Sequence, residues 1–161
     1  MSLRNIFILT IAVVFIFSIS TFAMAGEKIK SHGTTVTTKY EMMKVGDVEG
    51  HVIMISESKQ VFFNDISGEK YFGTAHNIID GNMKTGVAWL KGYGVNTYPN
   101  GDKSFRSVEG KPVGKGHWKG TWKLTGGTGK FKGATGGGTW ESKTLEQGVT
   151  YNEVEGEVEY P

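Results

Sequence analysis

Ten residues of this chain, KGHWKGTWKL (Lys115–Leu124), alternate without a fault. Trp118, Gly120, Trp122 and Leu124 fall on one side, and Lys115, His117, Lys119, Thr121 and Lys123 on the other. A period of two is the signature of an extended strand with one dry face and one wet face. The same pattern recurs along the chain. GTWESKT sets Trp140 against Thr139, Glu141 and Lys143. VTYNEVEGEVEY sets Val154, Gly156 and Val158 against Glu153, Glu155, Glu157 and Glu159. Upstream, TTVTTKYEMM places Val36, Thr38, Tyr40 and Met42 on one predicted face and Thr37, Lys39 and Glu41 on the other, after a polar lead from Gly26 to Ser31. HVIMIS reads as the next strand, with VFFND as its continuation or partner. KYFGTAHNII follows, then the turn DGN, then TGVAWLKGYGVNT. No window shows a helical period of 3.6 beyond a single turn.

The hairpin signal at YPNG is the clearest in the chain. Pro99 presets φ at the second position of a type I turn and Gly101 closes it. Pairing Tyr98 with Asp102 then sets Val95 against Phe105, Tyr93 against Ser107, and Lys91 against Glu109. A slip of one residue would send these partners to opposite faces.

About eight short sequential strands joined by turns predict an all-β domain, either a closed antiparallel barrel or a β-sandwich. Glycines inside predicted strands, at 86, 92, 94, 120 and 156, favour the barrel, because they weaken a flat sheet and suit tight bends.

Between the last two tryptophan strands lies TGGTGKFKGATGGGTW, with seven glycines in sixteen residues. It invites a phosphate-loop reading, which the spacing rejects. Counting back from Gly129-Lys130, the first required glycine is Leu124, and the Ser/Thr position is Phe131. The dinucleotide fingerprint fails at Lys132, and the chain continues as a strand instead of a helix. The segment reads as an architectural corner. Gly127, Gly129, Gly133 and Gly136 supply unusual φ or close approach, and Phe131 plugs a barrel end.

This series, GTWKLTGGTGKFKGATGGGTWE (Gly120–Glu141), resembles the strand–corner–strand segment of allene oxide cyclase and dirigent-type barrels. Upstream, the agreement is only in strand order and size. The resemblance implies an eight-stranded antiparallel barrel with an apolar lumen, often assembled as a trimer. Plant members act on lipid-derived epoxides or steer phenoxy-radical coupling. None of their lumen residues transfers to a position in this sequence.

The N-terminus sets an expectation about address. A charged tip at Arg4, an apolar run of about a dozen residues and small residues at Ala23 and Ala25 form a secretory signal peptide cut after Ala25. The run is shorter than the roughly 20 apolar residues a membrane-spanning helix requires. Residues 26–161 then form a single domain, secreted or periplasmic. Removing Arg4 leaves 17 Lys and Arg against 16 Asp and Glu, a balance with no broad pull toward nucleic acid or anionic lipid. With no cysteine, there is no disulfide, lipid-attachment thiol or thiol nucleophile to infer.

Candidate chemistry is sparse. His32, His51, His76 and His117 lie 19, 25 and 41 residues apart, without the close spacing of a metal motif. No metal or cofactor is expected. Trp89, Trp118, Trp122 and Trp140 occupy apolar strand faces. They are either the packed core of a solid barrel or the walls of a cavity for an apolar or aromatic molecule. Lys91 and Glu109 share a face with Trp89, Tyr93 and Phe105. If that bulky face is the lumen, the pair is a desolvated acid–base candidate; if the faces are reversed, Arg106 is the lumen cation. The lysine and glutamate ladders read as solvent faces. Three functions follow: an exported barrel binding a small apolar or aromatic molecule, a solid assembly barrel, or a cofactor-free cyclase or isomerase.

Overall fold

The alternating segments pair in chain order, each antiparallel to the next, and the last returns to the first. The computed structural model describes residues 26–161, so the leader expected over 1–25 lies outside the described residues. The strands are β1 (Glu27–Lys44), β2 (His51–Asn64), β3 (Lys70–Asn82), β4 (Ala88–Thr97), β5 (Lys103–Gly114), β6 (His117–Gly127), β7 (Thr135–Glu146) and β8 (Val149–Glu159). Ladder bonds between β8 and β1 close the barrel. Closure leaves no sheet edge open to pairing with other chains, and the sandwich alternative is excluded.

The β4–β5 hairpin adopts the predicted register, with Val95 opposite Phe105, Tyr93 opposite Ser107 and Lys91 opposite Glu109. Tyr98 N–H donates to Asp102 O at 2.9 Å, and Gly101 has φ of 87°. VFFND is the continuation of β2. Two other expectations change. The polar lead is already strand, because Lys28 and Lys30 pair with Glu157 and Glu155 on β8. Gly86 lies in the β3–β4 turn with φ of 74°, not inside a strand.

A bulge between Thr37 and Lys39 alters β1. It adds one residue against the partner strand and switches the faces. Val36 consequently points outward, while Thr37 and Tyr40 both line the interior. Period-two counting through the bulge assigns Val36 and Tyr40 to one face, which the structure corrects.

Two rows of residues explain the concentration of glycine. Trp140 of β7 lies opposite Gly120 of β6, which lies opposite Gly110 of β5. Trp122 of β6 lies opposite Gly138 of β7, which lies opposite Gly156 of β8. Each indole reaches past the glycine opposite it to the glycine of the next strand. A Cβ on Gly110 would sit 2.4 Å from Trp140 Cζ2, and one on Gly156 would sit 2.7 Å from Trp122 Cζ2. The indole N–H groups donate to backbone carbonyls, Trp122 to Glu155 at 2.9 Å and Trp140 to Thr121 at 3.1 Å, so both are satisfied.

The glycine-rich corner closes one end. A single 3-10 turn, Gly129–Phe131, follows β6 and drives Phe131 into the barrel at 3% exposure. Gly129 has φ of 54°, and any side chain there would collide with the Asp102 carboxylate. That carboxylate accepts from Lys130 N–H at 3.2 Å. Gly127 serves close approach, since its Cβ would be 2.4 Å from Lys103 O. Gly133 has φ of 77°, and Gly136 lets β7 approach Glu157 O on β8. Phe131 ends a ladder of stacked rings, Phe62–Tyr71–Tyr98–Phe131, with centroid separations of 5.5, 5.0 and 4.7 Å. Tyr160 packs against its outer end.

The glycine rows make a direct prediction. In Gly138→Ala the new Cβ would stand 1.9 Å from Glu155 O and 2.5 Å from Gly156 Cα. Backbone must then move, and a loss of about 2 kcal/mol or more is expected from such overpacking. Gly114→Ala, whose Cβ meets nothing nearer than His117 Cβ at 3.8 Å, should change stability by less than about 0.5 kcal/mol. Urea unfolding midpoints of the two variants would test the contrast.

Candidate ligand-binding lumen

The inward faces enclose a cavity of about 620 Å³ that opens at the end carrying the β1–β2, β3–β4, β5–β6 and β7–β8 turns. The ring ladder and Phe131 plug the other end, where a hollow of about 100 Å³ remains. The larger volume falls within the range of small-molecule sites. Its walls come from every strand. Tyr40, Met54, Ile79, Leu90, Trp118, Trp122, Trp140, Val108 and Val154 are among its apolar residues. Apart from Arg106, the polar positions are uncharged hydroxyls and amides, among them Ser56, Ser58, Gln60, Asn77, Ser142 and Asn152.

The tryptophans divide in two. Trp118, Trp122 and Trp140 line the cavity, but Trp89 stands outside at 44% exposure, as do Tyr93 at 56% and Phe105 at 36%. The expectation that the bulky face of the β4–β5 hairpin points inward is thereby corrected. The inward face is the smaller one, Leu90, Gly92, Gly94 and Asn96 on β4 and Ser104, Arg106 and Val108 on β5. Bulk misled the reading because small inward residues are required there. A Cβ on Gly92 would sit 2.1 Å from Asn77 Oδ1, and one on Gly94 would sit 2.9 Å from Arg106 Nε. Outside, bulky side chains meet no such limit.

Lys91 and Glu109 go outside with that face. Their charged atoms lie 3.9 Å apart with both side chains substantially exposed. Such a pair is an ordinary surface contact, and neither residue reaches the lumen. Arg106 does, and among the described residues it is the one formal charge on the cavity wall. Its Nη2 donates to Gln60 Oε1 at 2.5 Å, and its guanidinium lies 5.4 Å from the Phe62 ring centroid. Gln60 Nε2 donates to Thr35 Oγ1 at 3.1 Å, and Asn152 Nδ2 donates to the same oxygen at 3.0 Å. Burial pulls the Arg106 pKa below its ordinary value, and desolvation pushes the Tyr98 phenol up to about 12.

The Gln60–Thr35–Asn152 network escaped sequence reasoning. Its members lie far apart in the chain, and polar residues at inward positions break the apolar alternation that marks a face. Arg106 was detectable only as the alternative to Lys91.

The histidines do not converge. At the open rim, on the outer face, His51 contacts Asp47 at 2.6 Å and Asp80 at 2.8 Å. His117 contacts Glu141 at 2.6 Å. Among the described residues no group of three His, Cys, Asp or Glu side chains is placed to hold a metal ion. Glu141 also meets Lys119 at 2.8 Å and Lys143 at 3.3 Å. These partners, Lys119 foremost, hold its carboxyl down at about 2.

The sequence matches no family model and no curated protein. The fold does have a solved counterpart. The pterocarpan synthase dirigent protein GePTS1 aligns over 86% of this chain and 91% of its own, with a TM-score of 0.52 and 12% identity. The chain is therefore an all-β, dirigent-like closed barrel. At that identity the likeness shows the fold alone.

His51 offers a pH test. Its hydrogen bond to Asp80, then that to Asp47, raises its pKa above 6.5. Because folding raises the value, the stabilisation is complete below pH 6.5 and fades as pH climbs through the raised value. An NMR titration should place His51 above an ordinary imidazole, and His51→Gln should flatten the stability profile in that window. A midpoint at or below 6.5 would contradict the geometry.

Proposed function

We propose that the lumen binds a small apolar or aromatic molecule. The supporting observation is the open cavity of about 620 Å³ walled by Trp118, Trp122 and Trp140. A solid barrel would have used those indoles to fill its axis. Here two of them reach sideways over glycines of neighbouring strands, which leaves the axis open instead. The wall offers a guest broad apolar surface and uncharged hydrogen-bonding groups, the usual composition of a site for a small organic molecule. Among the described residues the cavity wall carries no carboxylate or imidazole, so the arrangement favours holding and orienting a guest over acid–base catalysis on it.

Titration with neutral N-phenyl-1-naphthylamine would test this reading through tryptophan quenching. Saturable binding is expected in the wild type. Leu90→Trp should weaken it at least tenfold by filling the row Met54–Ile79–Leu90. A flat response, or unchanged binding in that variant, would refute lumen binding.

A second reading, assembly into a homotrimer, has its own support on the exterior. The outer faces of β6, β7, β8 and β1 carry the charged ladders, with Lys30 and Glu155 paired at 3.2 Å. Those of β2 to β5 also carry charges, Lys91 and Glu109 among them, but interleave them with Ile55, Phe72, Ile78, Trp89 and Tyr93, each at least 44% accessible. An apolar patch of this kind on one side of a soluble domain marks an association surface. Light scattering should report three copies, with Phe72→Asp/Tyr93→Asp reducing the mass to one. A strictly monomeric wild type would exclude assembly.

A further inference from the structure

Arg106 is a cation without a counterion. Among the described residues no carboxylate pairs with it, and its one hydrogen bond goes to the neutral Oε1 of Gln60. Glu27 and Glu69 line the small hollow beneath and do not pair with it either. A guanidinium carries five N–H donors in a planar fork, so most of its donor capacity is unspent. Arg106 is half-buried, and its free donors face the two cavities it borders; a partly desolvated cation without a partner favours a guest that supplies the opposite charge.

The surroundings hold this fork in place instead of neutralising it. Gly94 is bare where a Cβ would crowd Arg106 Nε, and Gly73 is bare where one would crowd Gln60 Oε1 at 3.0 Å. Gln60 is oriented by donating to Thr35, which leaves its carbonyl oxygen aimed at Arg106. Phe62 supports the guanidinium from the ring ladder. Arg106 borders both the large cavity and the small hollow, and so forms part of the floor between them. Above it stand the indoles and the apolar row of Met54, Ile79 and Leu90.

We infer that the lumen selects amphipathic monocarboxylates, bound with the carboxylate on Arg106 at the floor and the apolar body toward the open end. This rests on the lumen-binding reading and adds the class of guest. A planar carboxylate matches the guanidinium fork with two parallel hydrogen bonds, an arrangement an ammonium or an alcohol cannot reproduce. The neutral amides and hydroxyls nearby, Gln60 and Asn152 among them, leave the guest's charge uncontested.

Calorimetric titration of the protein with dodecanoate, dodecan-1-ol and dodecyltrimethylammonium would decide the matter. Dodecanoate should bind at least tenfold more tightly than dodecanol, and the ammonium compound more weakly than either. Arg106→Met should erase the preference for dodecanoate while leaving dodecanol binding intact, which also shows that the variant folds. Arg106→Lys should retain part of the preference. If dodecanol binds as tightly as dodecanoate in the wild type, or if Arg106→Met keeps the preference, carboxylate selection is overturned while lumen binding stands. If none of the three binds, both readings fall.

Discussion

The reach of two indoles over paired glycines is the contact on which the rest of this barrel depends. Trp140 crosses Gly120 and Gly110, and Trp122 crosses Gly138 and Gly156. Four strands are thereby drawn together with almost no side-chain bulk between ring and backbone. An indole buries a large apolar area, and each ring here also anchors its N–H on a backbone carbonyl, Trp140 on the adjoining β6 and Trp122 on β8 beyond β7. Glycine, which weakens a strand in isolation, is what allows that area to be buried against backbone and keeps the central volume free.

From that arrangement follows an interior with a floor and an open end. The ring ladder Phe62–Tyr71–Tyr98–Phe131 fills the closed end, and the glycine-rich corner locks it by tying Asp102 to the 3-10 turn. The corner's resemblance to a phosphate cradle has a physical basis, because it does present a backbone N–H to an anion. The anion is the chain's own Asp102. Arg106 lies above the ladder, held by Gln60 and Phe62, and gives an otherwise neutral cavity a polarity along its axis.

The exterior follows a separate logic. Charged ladders cover β6 to β1, where Glu141 gathers His117, Lys119 and Lys143. The β2–β5 side interleaves aromatic and branched residues with its charges. That asymmetry is why the β4–β5 hairpin misleads a reading based on bulk. Trp89, Tyr93 and Phe105 look like core by residue type, yet the neighbouring inward positions 92 and 94 are held to glycine by the contacts of Asn77 and Arg106. Hydrophobicity identifies the inner face only when the outer face is bathed in water, and here part of the outer face is apolar.

Local chemistry alone determined the strands, their order, the YPNG hairpin with its register, and the inward tryptophans of β6 and β7. Each is a matter of period-two alternation or turn geometry carried by neighbouring residues. Tertiary structure decided the bulge at Thr37–Lys39, the inward face of the β4–β5 hairpin and the gathering of Gln60, Thr35, Asn152 and Arg106 from four strands. These depend on what lies across the barrel, since whether a side chain fits is set by residues far along the chain, and a pattern read along one strand does not contain them.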